Sequence, residues 1–472
     1  MLQQQPKVTL GIDFIDTRVA MPTIHWDPKL IAKYNINGPR YTSYPTALAL
    51  QAPFEAGLVV DTLANSSGEL SLYLHLPFCH QLCYYCGCNK VITRHQHKAD
   101  RYLDALEQEM ALYQPLVAHR AIGHIHLGGG TPTFLTERQL SRLMALFQRY
   151  FDCMALDELS IEIDPRSCSL EKLVHLRQLG FNRVSFGVQD FDQQVQISIN
   201  RVQDADLIRQ LVQQAKALGF HSINLDLVYG LPYQRTDSFR HTLDQVIALD
   251  PDRISLFSYA HLPERFAAQR KIPQQVMPDP ATKLSLLELS IRTLTGAGYQ
   301  CIGMDHFAKP EDGLAQAQRA GRLQRNFQGY TTHGQDALLG LGVSSISQVN
   351  GVLWQHEKDL PEYYQAIEAG RLPLAKGFVL SRDDRLRAEL IAELICHFKL
   401  DTSGFAAKWQ IDFASYFTDA LQQLQPFIDD GLVEVSSGSI HISTAGRLWV
   451  RSICSAFDAY LQQGQQRYSK VV

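Results

Sequence analysis

Leu72-Tyr73-Leu74-His75-Leu76-Pro77-Phe78-Cys79-His80-Gln81-Leu82-Cys83-Tyr84-Tyr85-Cys86-Gly87-Cys88 sets a short apolar run directly before four cysteines. Cys79, Cys83 and Cys86 are separated by three and then two residues, a spacing that can wrap one loop around a cubane iron–sulfur cluster, whose iron prefers soft thiolate ligands. Cys88 has only Gly87 between it and Cys86. That is an awkward place from which to close the same cluster, so the loop reads as three ligands to a [4Fe–4S] cluster with one iron left open. A structural zinc site is the competing reading. It normally takes four ligands as two spaced pairs, and here it would have to recruit His75 or His80.

Working outward, short apolar runs alternate with helical periods from about residue 71 to residue 350. The runs are 72–76, 124–127, 159–163, 183–188, 223–228, 254–257 and 300–304; helical stretches are expected at 99–116, 137–150, 170–179, 205–218 and 282–295. Repeated strand and helix argue for an α/β fold with a parallel sheet and right-handed crossovers. Polar and glycine residues gather just after the runs: the cysteines after the first, Gly128-Gly129-Gly130-Thr131 after the second, Asp164-Pro165 after the third, Gln189-Asp190 after the fourth, Gly230-Leu231-Pro232 after the fifth and Tyr259-Ala260-His261 after the sixth. Function placed at the carboxyl ends of many strands favours a partial or complete parallel β/α barrel of the TIM type over a doubly wound sheet, which concentrates function at one switch point.

Three domains are expected: an N-terminal arm over 1–70, the barrel over 71–375, and a small, mostly helical domain over 376–472. In the last, helices over 384–400 and 413–430 precede a hairpin of 431–435 with 439–443, a β-wing, and a final helix over 444–461. Such a module suggests nucleic-acid binding. However, residues 381–472 hold nine Lys or Arg against eleven Asp or Glu, net −2, the wrong sign for a phosphate-binding face, and a structural or substrate-covering role is expected. The arm's distinctive piece is Gly38-Pro39-Arg40-Tyr41-Thr42-Ser43-Tyr44-Pro45-Thr46.

The 472 residues, 45% hydrophobic and 19% charged, describe a globular protein, with a net charge of −4 that gives no general attraction to nucleic acid or an anionic membrane. An anionic substrate must therefore be met by local cations. No stretch approaches the roughly 18 to 20 apolar residues of a membrane span. The odd count of nine cysteines and the absence of a secretion signal argue against a disulfide framework and for a reducing cytoplasm. Cys153, Cys168, Cys301, Cys396 and Cys454 are scattered and expected to be packed or inert.

With a three-cysteine loop after the first strand of a β/α barrel, the chain resembles the radical S-adenosylmethionine enzymes. More narrowly, Tyr73 to Cys79, Cys86-Gly87-Cys88-Asn89-Lys90, the run from Gly128 to Thr133, Ser160 to Pro165, Phe186 to Asp190, Asp226 to Pro232 and Ile302 to Phe307 resemble, in order, the oxygen-independent coproporphyrinogen III dehydrogenases. The resemblance implies an oxidoreductase of heme biosynthesis that turns two propionates of coproporphyrinogen III into vinyl groups by a 5′-deoxyadenosyl radical, with an unidentified electron donor and acceptor. It implies that Tyr73, Tyr85, Gly129, Glu162 and Ile346 contact a cluster-bound S-adenosylmethionine, and that Gly130, Thr131, Gln189, Arg201, Asp226 and Ala260 hold a second. Cys88 and the arm distinguish this family from a related heme-chaperone group. They carry the catalytic expectations: Cys88 in turnover, and Arg40 and Tyr41 near the substrate propionates. A monomer is expected.

Overall fold

A computed structural model describes residues 26–334 and 337–461. The expected runs become strands β1 (Leu70–Leu76), β2 (Ile122–Gly129), β3 (Glu158–Ile163), β4 (Arg183–Gln189), β5 (Ser222–Tyr229), β6 (Arg253–Ser258) and β7 (Gln300–Gly303). They are joined by β8 (His306–Ala308), β9 (Ala337–Leu341), β10 (Ile346–Val349), β11 (Val352–His356) and β12 (Leu374–Val379). One sheet runs in the order β12-β11-β10-β9-β1-β2-β3-β4-β5-β6-β8-β7. The seven strands from β9 through β6 are mutually parallel, whereas both flanks turn antiparallel. Its end strands do not pair, so the barrel is partial.

β1 shows why the strands read as apolar runs: six of its seven residues are buried, as expected for a parallel strand covered on both faces. Its helical cover comprises α1 (His97–Val117), α2 (Glu137–Tyr150), α3 (Leu170–Gln178), α4 (Ala205–Ala217), α5 (Thr236–Leu249) and α6 (Pro280–Gly296). α2 starts where Thr136 and Gln139 form a reciprocal capping box, which satisfies two otherwise orphaned backbone N–H groups. It then buries Leu140, Leu143, Met144 and Phe147 on one stripe, each such side chain contributing about 1.5–3 kcal/mol. Inside α1, wholly buried Glu109 accepts from Gly342 N and from Tyr363 Oη at 2.5 Å. That contact ties the turn after β9 to the helical layer.

Several expectations are refined. The run at 300–304 is an antiparallel edge strand separated from β6 by β8, and the parallel neighbour on the other side of β1 is β9, which the run pattern does not contain. The sheet's last strand extends to Val379, past the boundary expected at 375. In the C-terminal domain Arg382–His397 and Thr418–Asp429 are helices and Val433–Val435 pairs with Ser439–Ile442 as the wing, with Lys399–Asp401 as a third strand. The long final helix is instead a 3-10 turn, Ala445–Trp449, followed by a short α-helix, Val450–Ser455.

The arm packs between this domain and the sheet. Tyr34 stacks on Phe427 at 4.4 Å, Arg451 Nε donates to Pro39 O at 2.8 Å, and Tyr44 Oη accepts from Ala459 N at 3.1 Å. Residues 1–25 of the arm lie outside the described residues.

Candidate active site

The cysteine loop leaves the carboxyl end of β1 and is fastened at several points. Phe78, 1% exposed, packs on Tyr102 and Phe134. Val91 N donates to Pro77 O and Thr93 N to Cys79 O, so the loop's two ends run side by side. Tyr84 N donates to Ile199 O, Asn200 Nδ2 to Leu82 O and Gln269 Nε2 to Tyr85 O. These bonds hold the loop over the barrel mouth.

Beneath it lies a cavity of about 400 Å³ at the carboxyl ends of β1 to β6. Cys79, Cys83, Cys86 and Cys88 all line it. Three hydrogen bonds reach the sulfurs: Thr131 Oγ1 to Cys79 at 3.3 Å, Arg166 Nη2 to Cys83 at 3.3 Å and Arg201 Nη1 to Cys83 at 3.5 Å. Donors and cations favour the thiolate over the thiol. Burial, helped by the neighbouring Cys86, Cys83 and Asp164 and opposed by the Thr131 hydroxyl, pushes Cys79 up to about 11, while the contact between Cys86 and Cys88 pulls Cys86 down to about 6 and pushes Cys88 up.

The wall is polar and partly bare. Gly129 has φ +111° and a Cβ there would meet the His75 ring at 2.6 Å; a Cβ on Gly130 would meet the Pro77 carbonyl at 2.7 Å. Glycine at these positions lets the turn after β2 lie against His75 and the Pro77 carbonyl, where a side chain would clash. Glu162 Oε2 accepts from Gly129 N at 3.2 Å. Arg201, 6% exposed, donates Nη1 to Asp164 at 3.0 Å and Nη2 to Gly187 O at 2.7 Å. Burial opposes ionisation of Asp164, but Arg201 and Arg166 outweigh it and hold the carboxyl below its ordinary range. Asp226 has no such cation; burial, then the Glu162 charge, raises it to about 6, although it accepts from Ser185 Oγ and Asn224 Nδ2. Gln189 stands at the end of β4 with φ +67°, a backbone conformation costly for a side-chain-bearing residue.

Of the residues expected at the site, the structure brings to this cavity all four cysteines, Tyr85, Gly129, Gly130, Thr131, Glu162, Gln189, Arg201, Asp226 and Ala260. Tyr73 stands behind the wall, its hydroxyl 3.1 Å from His75 Nδ1 and its ring on His126. Ile346 begins β10, outside the lining. Arg40 and Tyr41 do not reach the cavity: Arg40 pairs with Asp305 at 2.9 Å and buried Tyr41 donates to Asp458 at 3.1 Å. Asp164 and Arg166, which support Cys83, had no expected role; the signal was their position just after β3.

Residues 73–246 match the radical SAM superfamily and residues 380–449 the HemN C-terminal domain. The oxygen-independent coproporphyrinogen III oxidase of Salmonella typhimurium is 51% identical over 452 residues, covering 95% of this chain and 99% of the relative. That of Escherichia coli is 50% identical over 457 residues, covering 96% and 100%. This chain belongs to the oxygen-independent coproporphyrinogen III oxidase family. Among solved structures, the Escherichia coli coproporphyrinogen III oxidase, described as a radical SAM enzyme, superposes with a TM-score of 0.89 over 93% of this chain and 100% of its own.

The cofactors of this oxidase family are therefore a [4Fe–4S] cluster and S-adenosylmethionine, and the residues present suit them. One zinc ion with bonds of about 2.3 Å draws its sulfurs to within about 4.6 Å of one another. Among the described residues His124, Glu158 and His333 bring donor atoms within 4.8 Å, but no cysteine trio does. The thiols thus line a cavity wide enough for a larger group. Neither histidine that a zinc site needs faces it: His75 lies 2.9 Å from Asn89 O and 3.1 Å from Tyr73 Oη, and His80 rests on Phe134. No helix among the described residues is long and apolar enough to cross a membrane.

Proposed function

We infer that this chain carries out the anaerobic oxidative decarboxylation of two propionate side chains of coproporphyrinogen III to vinyl groups, giving protoporphyrinogen IX. The observation that carries the reading is a thiol-lined cavity at the barrel's carboxyl face in a chain 51% identical, over 95% of its length, to a coproporphyrinogen III oxidase. When bound, the cluster and S-adenosylmethionine supply the one-electron chemistry, removal of a hydrogen atom from the propionate β-carbon by a 5′-deoxyadenosyl radical.

The chain's own residues bind and orient. Cys79, Cys83 and Cys86 hold the cluster, with Arg166 and Arg201 offsetting the charge of Cys83. Tyr73, Tyr85, Gly129, Glu162 and Ile346 position the cluster-bound S-adenosylmethionine; in support, Tyr85, Gly129 and Glu162 line the cavity and Glu162 offers a carboxylate there, an acceptor of charge-assisted hydrogen bonds. Gly130, Thr131, Gln189, Arg201, Asp226 and Ala260 form a second cofactor position across the same cavity. Cys88 serves turnover rather than ligation. The arm, with Arg40 and Tyr41, covers the substrate side. Each decarboxylation leaves an electron for an acceptor, and a separate donor reduces the cluster. We place the protein in the cytoplasm as a monomer that binds neither nucleic acid nor membrane; its nine free thiols and net charge of −4 are in keeping with this.

An anaerobic assay with S-adenosylmethionine, a reductant, an electron acceptor and coproporphyrinogen III tests the reading. Protoporphyrinogen IX and 5′-deoxyadenosine are expected together, and both are expected to vanish in Cys79→Ser. A loaded wild type that binds S-adenosylmethionine but leaves the porphyrinogen untouched would overturn it.

A further inference from the structure

Beneath the cysteine cavity, toward the amino ends of β2 to β6, the barrel encloses a second cavity of about 250 Å³. Glu162, Ser185, Asp226 and Phe257 line both, so they form the partition between the two. His124 on β2 and Glu158 at the start of β3 also line the lower one. His333, which follows the strand Gly329–Thr331, lies against them, its ring 4.6 Å from that of His124 and within 9° of parallel. One donor atom from each of the three residues falls within 4.8 Å of the others.

As a hydrogen-bonded cluster the trio is poorly satisfied. His124 is 3% exposed, yet its Nδ1 has no partner among the described residues. Its Nε2 comes no closer than 3.3 Å to Ser160 Oγ and to Glu158 Oε1. His333 Nε2 is buried, has no hydrogen-bond partner among the described residues and stands 3.5 Å from Glu158 Oε2. An N–H to oxygen bond ordinarily closes to about 2.9–3.0 Å, and a buried imidazole without one calls for an explanation. An ion that holds nitrogen and oxygen at about 2.0–2.2 Å in a tetrahedron sets those atoms roughly 3.3–3.6 Å apart. Both histidine–glutamate separations match that edge.

Arg183 also pairs with Glu158, and an unopposed guanidinium there would repel a metal ion. It is opposed, because the Asp312 charge acts on it as well. The cavity lining carries Glu158, Glu162 and Asp226 against Arg183 and Arg253, and Arg253 is taken up by Asp312 at 2.8 Å. The surroundings therefore hold no excess of cations. A ligating carboxylate is commonly held by a further partner of its own, and Arg183 fills that place here.

We propose that His124, Glu158 and His333 hold a divalent transition-metal ion of the zinc class, with a water from the lower cavity as fourth ligand. The ion ties the segment after Gly329–Thr331 to β2 and β3, and so closes the amino end of the partial barrel under the cofactor cavity. The edge between the two imidazoles is bounded at 4.8 Å, so the set tightens as the ion enters. Two histidines and one carboxylate suit such a metal, which prefers imidazole more than magnesium or calcium does. The site is separate from the cysteine loop and does not rest on the proposed reaction.

Zinc is the probe, added to cluster-loaded protein so that the three spaced thiols are already occupied. After dialysis, about one zinc per chain is expected, and its X-ray absorption should show nitrogen and oxygen neighbours with no sulfur at about 2.3 Å. His333→Gln and His124→Gln are each expected to weaken zinc binding by about tenfold or more. Zinc should also raise the melting temperature of the wild type and of neither variant. Should His124→Gln fail to fold, His333→Gln, outside any helix or strand, decides alone. A wild type that retains no zinc overturns the site. A sulfur neighbour, or zinc unchanged in the variants, overturns it too and means an adventitious ion only. None of these readouts depends on porphyrinogen turnover, so failure of the proposed reaction leaves the metal site standing.

Discussion

Arg201 and Asp164 are joined at 3.0 Å directly under the cysteine loop, with side chains only 8% and 11% exposed. The same guanidinium reaches Cys83 and Gly187 O, so one residue couples the loop, the turn after β3 and the end of β4.

Removing that guanidinium is expected to cost stability as well as cofactor binding. Arg201→Ala strips Asp164 of one of its two cations, and breaking a buried pair costs about 3–5 kcal/mol. Because Arg166 remains at 2.7 Å, the lower end applies. Asp164 is held below its ordinary value, so its contribution is present above the unfolded carboxyl pKa and is lost as the pH falls through the folded one. Urea unfolding should therefore show the wild-type advantage at pH 7 shrinking under acid conditions. An unchanged midpoint at pH 7 would contradict the pair's role.

Asp226 behaves in the opposite sense. Its folded value of about 6 lies above that of an exposed aspartate; the carboxyl is tolerated when protonated and becomes a burden as the pH rises through 6. Asp226→Asn is expected to stabilise the cofactor-free protein at pH 8 by about 1–3 kcal/mol and to leave it nearly unchanged at pH 4, while weakening cofactor binding. Thermal melts at the two pH values check the sign.

Glu109 makes the same argument far from the cavity. Burial raises it to about 8 against the bonds from Tyr363 and Gly342, so it is mostly protonated at neutral pH. Its stability contribution is full below about pH 4 and is lost at about 1.4 kcal/mol per pH unit as the pH rises towards 8, beyond which the loss is complete. Glu109→Gln should match the wild type near pH 4 and exceed it increasingly up to pH 8, measured by denaturant midpoint.

Cys88 and the three spaced cysteines are expected to separate cleanly. Serine at Cys79, Cys83 or Cys86 should abolish the absorbance of the reconstituted cluster. Cys88→Ser should keep the absorbance and lose product formation. A full rate in Cys88→Ser would remove that thiol from turnover.

Much of this was legible in the chain because parallel strands buried on both faces announce themselves as apolar runs, and because the residues after them are freed from packing to be polar. What stayed hidden was set by distance in sequence. β9 has four buried residues in five, but no helical stretch directly precedes it, so the alternation that exposed the other strands gave no cue. Arg40 carried the right chemical character for a carboxylate, yet its partner Asp305 lies 265 positions away, and no spacing rule reaches that far. Arg166 was passed over because a surface arginine and one aimed at Cys83 look identical in a string of letters.

The arm at residues 34–44 finds its partners at 426–460. During synthesis those partners are made roughly four hundred positions after the arm, so the arm waits through the translation of the whole sheet before its contacts can form. The packing of the arm is thus a late event in the making of this fold, set only after every strand from residue 70 to residue 379 has been translated.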